Sequence, residues 1–156
     1  ARDNGLTHYF YGGSEATIRT LREKLPKEYP HLKIAGMVSP PYRPLTKEED
    51  AAQVEAMNAS GADIIWIGLG APKQERYMFE HQGLTQGVMV GVGAGFDYYA
   101  GTIRRAPMWM QKLSLEWLYR LMQDPKRLFK RYFVTNFKFL RLTLGRGKKS
   151  RGEKKS

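Results

Sequence analysis

The chain has 156 residues, with 42% hydrophobic and 26% charged side chains, a composition that fits one domain with a real core and excludes a disordered chain. No uninterrupted apolar run approaches the ~20 residues needed to cross a bilayer, and the lack of cysteine excludes a disulfide framework, a thiolate metal site and a cysteine nucleophile. The net charge of +11 is lopsided: residues 1–103 hold 10 Lys+Arg against 12 Asp+Glu, whereas 104–156 hold 16 against 3, so a near-neutral domain precedes a basic appendage that calls for nucleic acid, anionic lipid or a phosphorylated substrate.

The first residue is Ala1 and a strand follows within a few residues, so the expected reading is a truncated start. His8-Tyr9-Phe10-Tyr11 has strand character and stops at Gly12-Gly13. Ser14 caps a predicted helix over residues 15–29, with Ile18, Leu21 and Leu25 on one face. Residues 32–38 read as a second strand, and the prolines at 40, 41 and 44 exclude regular structure after it. Thr46 with Glu49 three residues on is a capping-box signature for a helix to about residue 60. Residues 63–68 read as a buried strand, Pro72 as the start of a third helix, and residues 88–92 as another buried strand that Gly91, Gly93 and Gly95 break into a loop around Phe96-Asp97. After Pro107 two helices follow with no further strand.

Strands alternating with helices predict an α/β, Rossmann-like parallel sheet with helices on both faces, followed by a basic C-terminal helical appendage. Ligands of such sheets sit beyond the C-terminal strand ends, which is where every irregular segment here falls: 12–14, 39–44, 68–75 and 93–105. Gly12-Gly13-Ser14 entering a helix fits both a phosphate cradle and a plain tight turn. Lys73, Gln74 and Glu75 in a Pro72-started first turn fit a polar cleft edge, but equally a solvated lysine and a carboxylate that favours the helix dipole. Asp97 after the glycine-rich strand end fits sugar-hydroxyl binding, a base, or a turn cap. His8, His31 and His81 lack metal-ligand spacing and no Asp-x-Asp occurs, so neither metal nor cofactor is expected; the incomplete fingerprint at 91–95 and the missing GxxxxGK[ST] speak against a nicotinamide or P-loop enzyme. In the appendage, Phe129, Phe133, Phe137, Leu140 and Leu144 share one helical face, with Arg127, Arg131, Lys138 and Arg141 roughly opposite. That pattern fits a membrane interface or a core helix with a solvated basic face, and residues 145–156 read as a disordered basic tail.

In order along the chain stand Tyr11-Gly12-Gly13, Ser39-Pro40-Pro41-Tyr42, Gly68-x-Gly70-x-Pro72-Lys73-Gln74-Glu75, Gly91-Val92-Gly93-Ala94-x-Phe96-Asp97, Arg105-Ala106-Pro107 and Glu116-Trp117-x-x-Arg120-Leu121. Together these resemble the WecG/TagA/CpsF family of bacterial glycosyltransferases over roughly residues 7–145. The resemblance implies transfer of a sugar, often of the N-acetylmannosamine type, from a UDP donor to a polyprenol-diphosphate-linked sugar. Such enzymes work at the cytoplasmic membrane face, as peripheral proteins, in teichoic acid, common-antigen or exopolysaccharide synthesis. It implies an inverting, metal-independent reaction and an arginine-rich appendage that docks on the anionic membrane and helps close the site.

Carried over by motif, Gln74 matches the active-site glutamine, and Arg120 and Arg127 match appendage arginines that neutralise diphosphate, with Lys130 or Arg131 completing the set. The motifs also nominate Gly12, Gly13, Pro41, Tyr42, Gly70, Pro72, Lys73, Glu75, Gly93, Asp97 and Arg105 as substrate-binding residues. The implied division is a nucleotide-sugar-binding domain over 1–106, a membrane- and substrate-binding appendage over 107–145 and a tail over 146–156. Family members carry a further N-terminal segment with the threonine and aspartate proposed as catalytic base, so the base is expected upstream of residue 1. The alternative to an enzyme, or a fragment of one, is a remnant that binds nucleotide-sugar or lipid diphosphate without catalysis. Nucleic acid is not an expected partner, because no known nucleic-acid module is present and the aromatic face suits lipid better. Self-association is left open.

Overall fold

The computed structural model describes residues 5–123 and, beyond them, positions 125, 137 and 141. Two compact units divide the chain, Ala1–Arg104 and Arg105–Ser156. In the first, β1 (Thr7–Gly12), α1 (Glu15–Glu28), β2 (Lys33–Val38), α2 (Lys47–Ala59), β3 (Ile64–Gly68), α3 (Lys73–Glu80), β4 (Val88–Gly91) and α4 (Gly95–Ala100) follow one another. The strands form one sheet in the order β2-β1-β3-β4, with all pairings parallel. The α/β, Rossmann-like expectation holds.

Alternation along the strands builds two core layers. Tyr9 and Tyr11 of β1 and Ile65 and Ile67 of β3 face Met57 of α2 and Tyr77 of α3. Phe10 faces the other way, onto Ile18, Leu21 and Leu25 of α1 and Phe96 of α4. Each of these side chains, once buried, contributes roughly 1.5–3 kcal/mol of transfer free energy. Gly36 on β2 lies under the Tyr9 ring, where a Cβ would come within 2.3 Å of it, and the β1–β2 register shifts between His8 and Tyr9.

Two expectations change. Residues 95–100 form a short helix rather than a loop, because Phe96 inserts into the α1 layer and pins the segment. Strand β4 is not buried: it pairs on one side only, at the sheet edge, and Val88 is 66% exposed.

In the second unit, α5 (Met108–Lys112) and α6 (Glu116–Gln123) are described. The aromatic and basic faces over 127–144, apart from the exposed helical positions Phe137 and Arg141, and the tail at 146–156 lie outside the described residues. Among the described residues no helix is long and apolar enough to cross a membrane.

Candidate functional site

The chain leaves β1 toward α1 and β2 on one side and reaches β3 and β4 on the other, so the topology reverses between β1 and β3. The last residues of those strands, Gly12 and Gly68, are register partners at this switch point. They meet because neither has a side chain. A Cβ on Gly12, whose φ is +129°, would sit 2.5 Å from the Gly68 carbonyl, and one on Gly68 would sit 2.4 Å from the Phe96 ring. The Gly13 N–H donates to the Gly68 carbonyl at 3.0 Å, closing a tight turn directly before the N-terminus of α1.

Ser14 caps that helix: its Oγ accepts from the Thr17 N–H at 3.1 Å. The Thr17 hydroxyl, fully buried, donates to Asp97 Oδ1 at 2.8 Å across 80 residues of sequence, and the Thr102 hydroxyl reaches the same oxygen at 3.3 Å. The Asp97 backbone carbonyl accepts from the Thr102 and Ile103 N–H groups at 3.0 and 3.3 Å, which closes the turn after α4. The second Asp97 carboxylate oxygen takes no hydrogen bond among the described residues. Ser39 Oγ donates to the Gly13 carbonyl at 2.9 Å and ties the β2–α2 connection to the same turn. On that connection Pro41 is exposed and Tyr42 is 97% exposed. Next to it, Arg43 grips both carboxylate oxygens of Glu49, at 2.6 and 2.7 Å. The Arg43 bonds and the Thr46 N–H hold Glu49 down at about 2.

On the far side of β3, Gly70 (φ +72°) and Pro72 lead into α3, and the Gly70 carbonyl accepts from the Gln74 N–H at 2.9 Å. Lys73 and Glu75 are exposed on the first turn, whereas Gln74 is buried. Gln74 Oε1 accepts from the Gly93 N–H at 2.7 Å, and its Nε2 lies where a Cβ on Gly91 would stand, 2.4 Å away. The glutamine therefore clamps the loop after β4.

These contacts join Gly12, Gly13 and Asp97 into one cluster and Gln74 with Gly70 and Gly93 into a second, both at C-terminal strand ends. Pro41, Tyr42 and Pro72 stand on the connections that leave those ends, and Lys73 and Glu75 on the first turn of α3. Arg105 belongs to the second unit, and Arg120 lies on α6 there. Arg127, Lys130 and Arg131 lie outside the described residues. Sequence reasoning missed Thr17, Ser39 and Thr102 as partners in the site. The available signal was Thr17, a polar residue beside Ile18 on an otherwise apolar helix face and three residues after the cap.

Among the described residues no group of three or more His, Asp or Glu side chains is placed to hold a metal ion. The opposite end of the sheet has a hollow lined by Leu6, Asn58, Asp63, Ile64, Val88 and Val90. It holds none of the motif residues.

Residues 1–153 match the model of the glycosyl transferase WecG/TagA/CpsF family. Two N-acetylglucosaminyldiphosphoundecaprenol N-acetyl-beta-D-mannosaminyltransferases, from Bacillus subtilis strain 168 and Bacillus spizizenii strain W23, are each 32% identical to this chain over 120 residues. The aligned stretch is 76% of this chain and 45% of each relative, so the chain spans about half the length of the curated relatives it matches.

Proposed function

The chain belongs to the WecG/TagA/CpsF family of glycosyl transferases, and from that premise we propose that it binds the donor in a reaction that moves a sugar of the N-acetylmannosamine type from a UDP-sugar to a polyprenol-diphosphate-linked sugar, in bacterial cell-wall or exopolysaccharide synthesis. The observation that carries the reading is the Gly12–Gly68 junction. There the first turn of α1 offers free backbone N–H groups and positive potential beside the Asp97 carboxylate. The diphosphate takes the helix N-terminus. Asp97, with Oδ1 fixed by Thr17 and Thr102, accepts from a hydroxyl of the donor through Oδ2. Tyr42 supplies an exposed ring at the rim for the nucleobase. Gln74 orders the Gly93 loop, and Lys73 and Glu75 line the same edge.

The acceptor hydroxyl displaces UDP at the anomeric carbon with inversion, its proton taken by a general base. Without a metal, fixed donors meet the charge that grows on the departing UDP. In the first unit the N–H groups of α1 are such donors; the second unit carries Arg120 and Arg127, whose guanidinium forks suit a diphosphate, with Lys130 or Arg131 and Arg105 adding positive charge. The basic second unit also rests on an anionic membrane surface, peripherally and on the cytoplasmic side. Within it Met108, Trp109, Leu113 and Met122 are each more than half exposed alongside Lys112. Co-sedimentation with anionic vesicles but not zwitterionic ones is the result expected for that contact; equal recovery with both contradicts it.

Calorimetric titration of the full chain with UDP tests the donor site. Binding is expected to survive a chelator and to weaken about tenfold in Asp97→Asn, the loss typical of one charge-assisted hydrogen bond. Unchanged affinity in that variant, or no binding at all, overturns the assignment.

A further inference from the structure

Helix α3 has eight residues, too few to be stable alone, so its position is set by what grips it. Its first turn carries Gln74 and its C-cap is His81, seven residues later and only 4% exposed. The His81 ring stacks on Tyr77 of the same helix at 3.9 Å, and Tyr77 stacks on Tyr11 of β1 at 5.3 Å. Nδ1 lies 2.8 Å from the Tyr77 carbonyl oxygen and Nε2 lies 2.9 Å from Asp50 Oδ2 on α2. Both partners are acceptors. A neutral imidazole carries one N–H and satisfies one of them, while a doubly protonated ring satisfies both.

Burial pushes the Tyr11 phenol up to about 12 and Tyr77 higher still, with the Asp50 charge adding to both, so these tyrosines stay neutral. The groups that face the ring are thus Asp50 from α2, Tyr77 from α3 and, behind Tyr77, Tyr11 and Tyr9 from β1. Asp50 is the charged one among them.

We propose that His81, held between the Tyr77 carbonyl and Asp50, is a positioning residue for the donor site, fixing through α3 the place where Gln74 holds the Gly93 loop. The proposal rests on the donor-site reading above for its functional meaning, though not for its geometry. Loss of the second proton turns one of the two hydrogen bonds into an acceptor facing an acceptor. A proton kept on Nε2 holds the α2–α3 bond to Asp50, so this clasp is removed by substituting alanine for His81 or Asp50. Asp50→Asn restores the fit for a neutral ring, because the amide donates to the bare Nε2 while Nδ1–H still reaches the Tyr77 carbonyl.

The test is nitrogen-15 NMR on the full chain, which reads the hydrogen-exchange protection factor of the Gly93 amide. In the unaltered chain that amide is protected by its bond to Gln74, and in His81→Ala its protection falls on the order of tenfold. In Asp50→Ala, which removes the partner on α2, protection falls in the same way, and in Asp50→Asn, whose amide still hydrogen-bonds the ring, it is kept. Gly93 protection unchanged in His81→Ala overturns the proposal, since a merely structural histidine changes thermal stability and not this amide. UDP titrations run alongside separate the two claims: loss of Gly93 protection in His81→Ala without any UDP binding by the unaltered chain sinks the donor site and leaves the clasp standing.

Discussion

Gly12 holds the tightest position in the site, with its φ of +129° and the Gly68 backbone 2.5 Å from where a Cβ would be. Gly83 also has a positive φ, +80°, but nothing lies within 4 Å of its Cβ position. Gly83→Ala is therefore expected to cost only the left-handed backbone term, about 1–2 kcal/mol, and Gly12→Ala distinctly more, because backbone must also move. Denaturant unfolding of the two variants checks the order. His8 shows the opposite kind of constraint. Burial holds it below its ordinary 6.5, and its Nδ1 accepts from the Trp66 indole N–H at 3.0 Å. The neutral ring belongs to the folded state, so its contribution is complete above 6.5 and is lost as pH falls through the lowered folded value. His8→Gln keeps an oxygen for the indole without a titrating group, so its stability is expected to decline less steeply in acid; an identical acid limb contradicts the assignment.

At the scale of elements, local chemistry was legible and distant packing was not. The box of Thr46 and Glu49 forms as its spacing predicts: Thr46 Oγ1 accepts from the Glu49 N–H at 3.2 Å and Glu49 accepts from the Thr46 N–H at 2.9 Å. Thr46→Ala is expected to cost about 1 kcal/mol of unfolding free energy while leaving UDP affinity within twofold, read by denaturation and calorimetry. A large loss of affinity would mean that the cap orders the Tyr42 connection as well. Helix α4 was misread because Gly91, Gly93 and Gly95 are local breakers, whereas Phe96 and Asp97 are held by Gly68 and Thr17, far away in sequence. The run at 88–92 looked buried because composition records apolarity and not how many neighbours a strand has. The Thr17–Asp97 and His81–Asp50 pairs were invisible for the same reason: each forms only once the sheet brings separate helices together.

For the molecule as a whole, the charge asymmetry follows the two units, with the acidic balance on residues 1–103 and the basic excess on 104–156. Motif order along the chain was enough to identify the family, and four of the six motifs fall at strand ends, where a parallel sheet gathers ligand contacts. The central claim is a place: donor nucleotide at the C-terminal ends of β1, β3 and β4. Mapping UDP-induced amide shifts on the nitrogen-15-labelled full chain tests it most directly. The account predicts the largest shifts at Gly12, Gly13, Ser14, Glu15 and the 93–97 segment, with Leu6, Asp63 and Val88 unmoved. Shifts centred instead on the hollow at Leu6, Asn58, Asp63 and Val88, at the other end of the sheet, would contradict it.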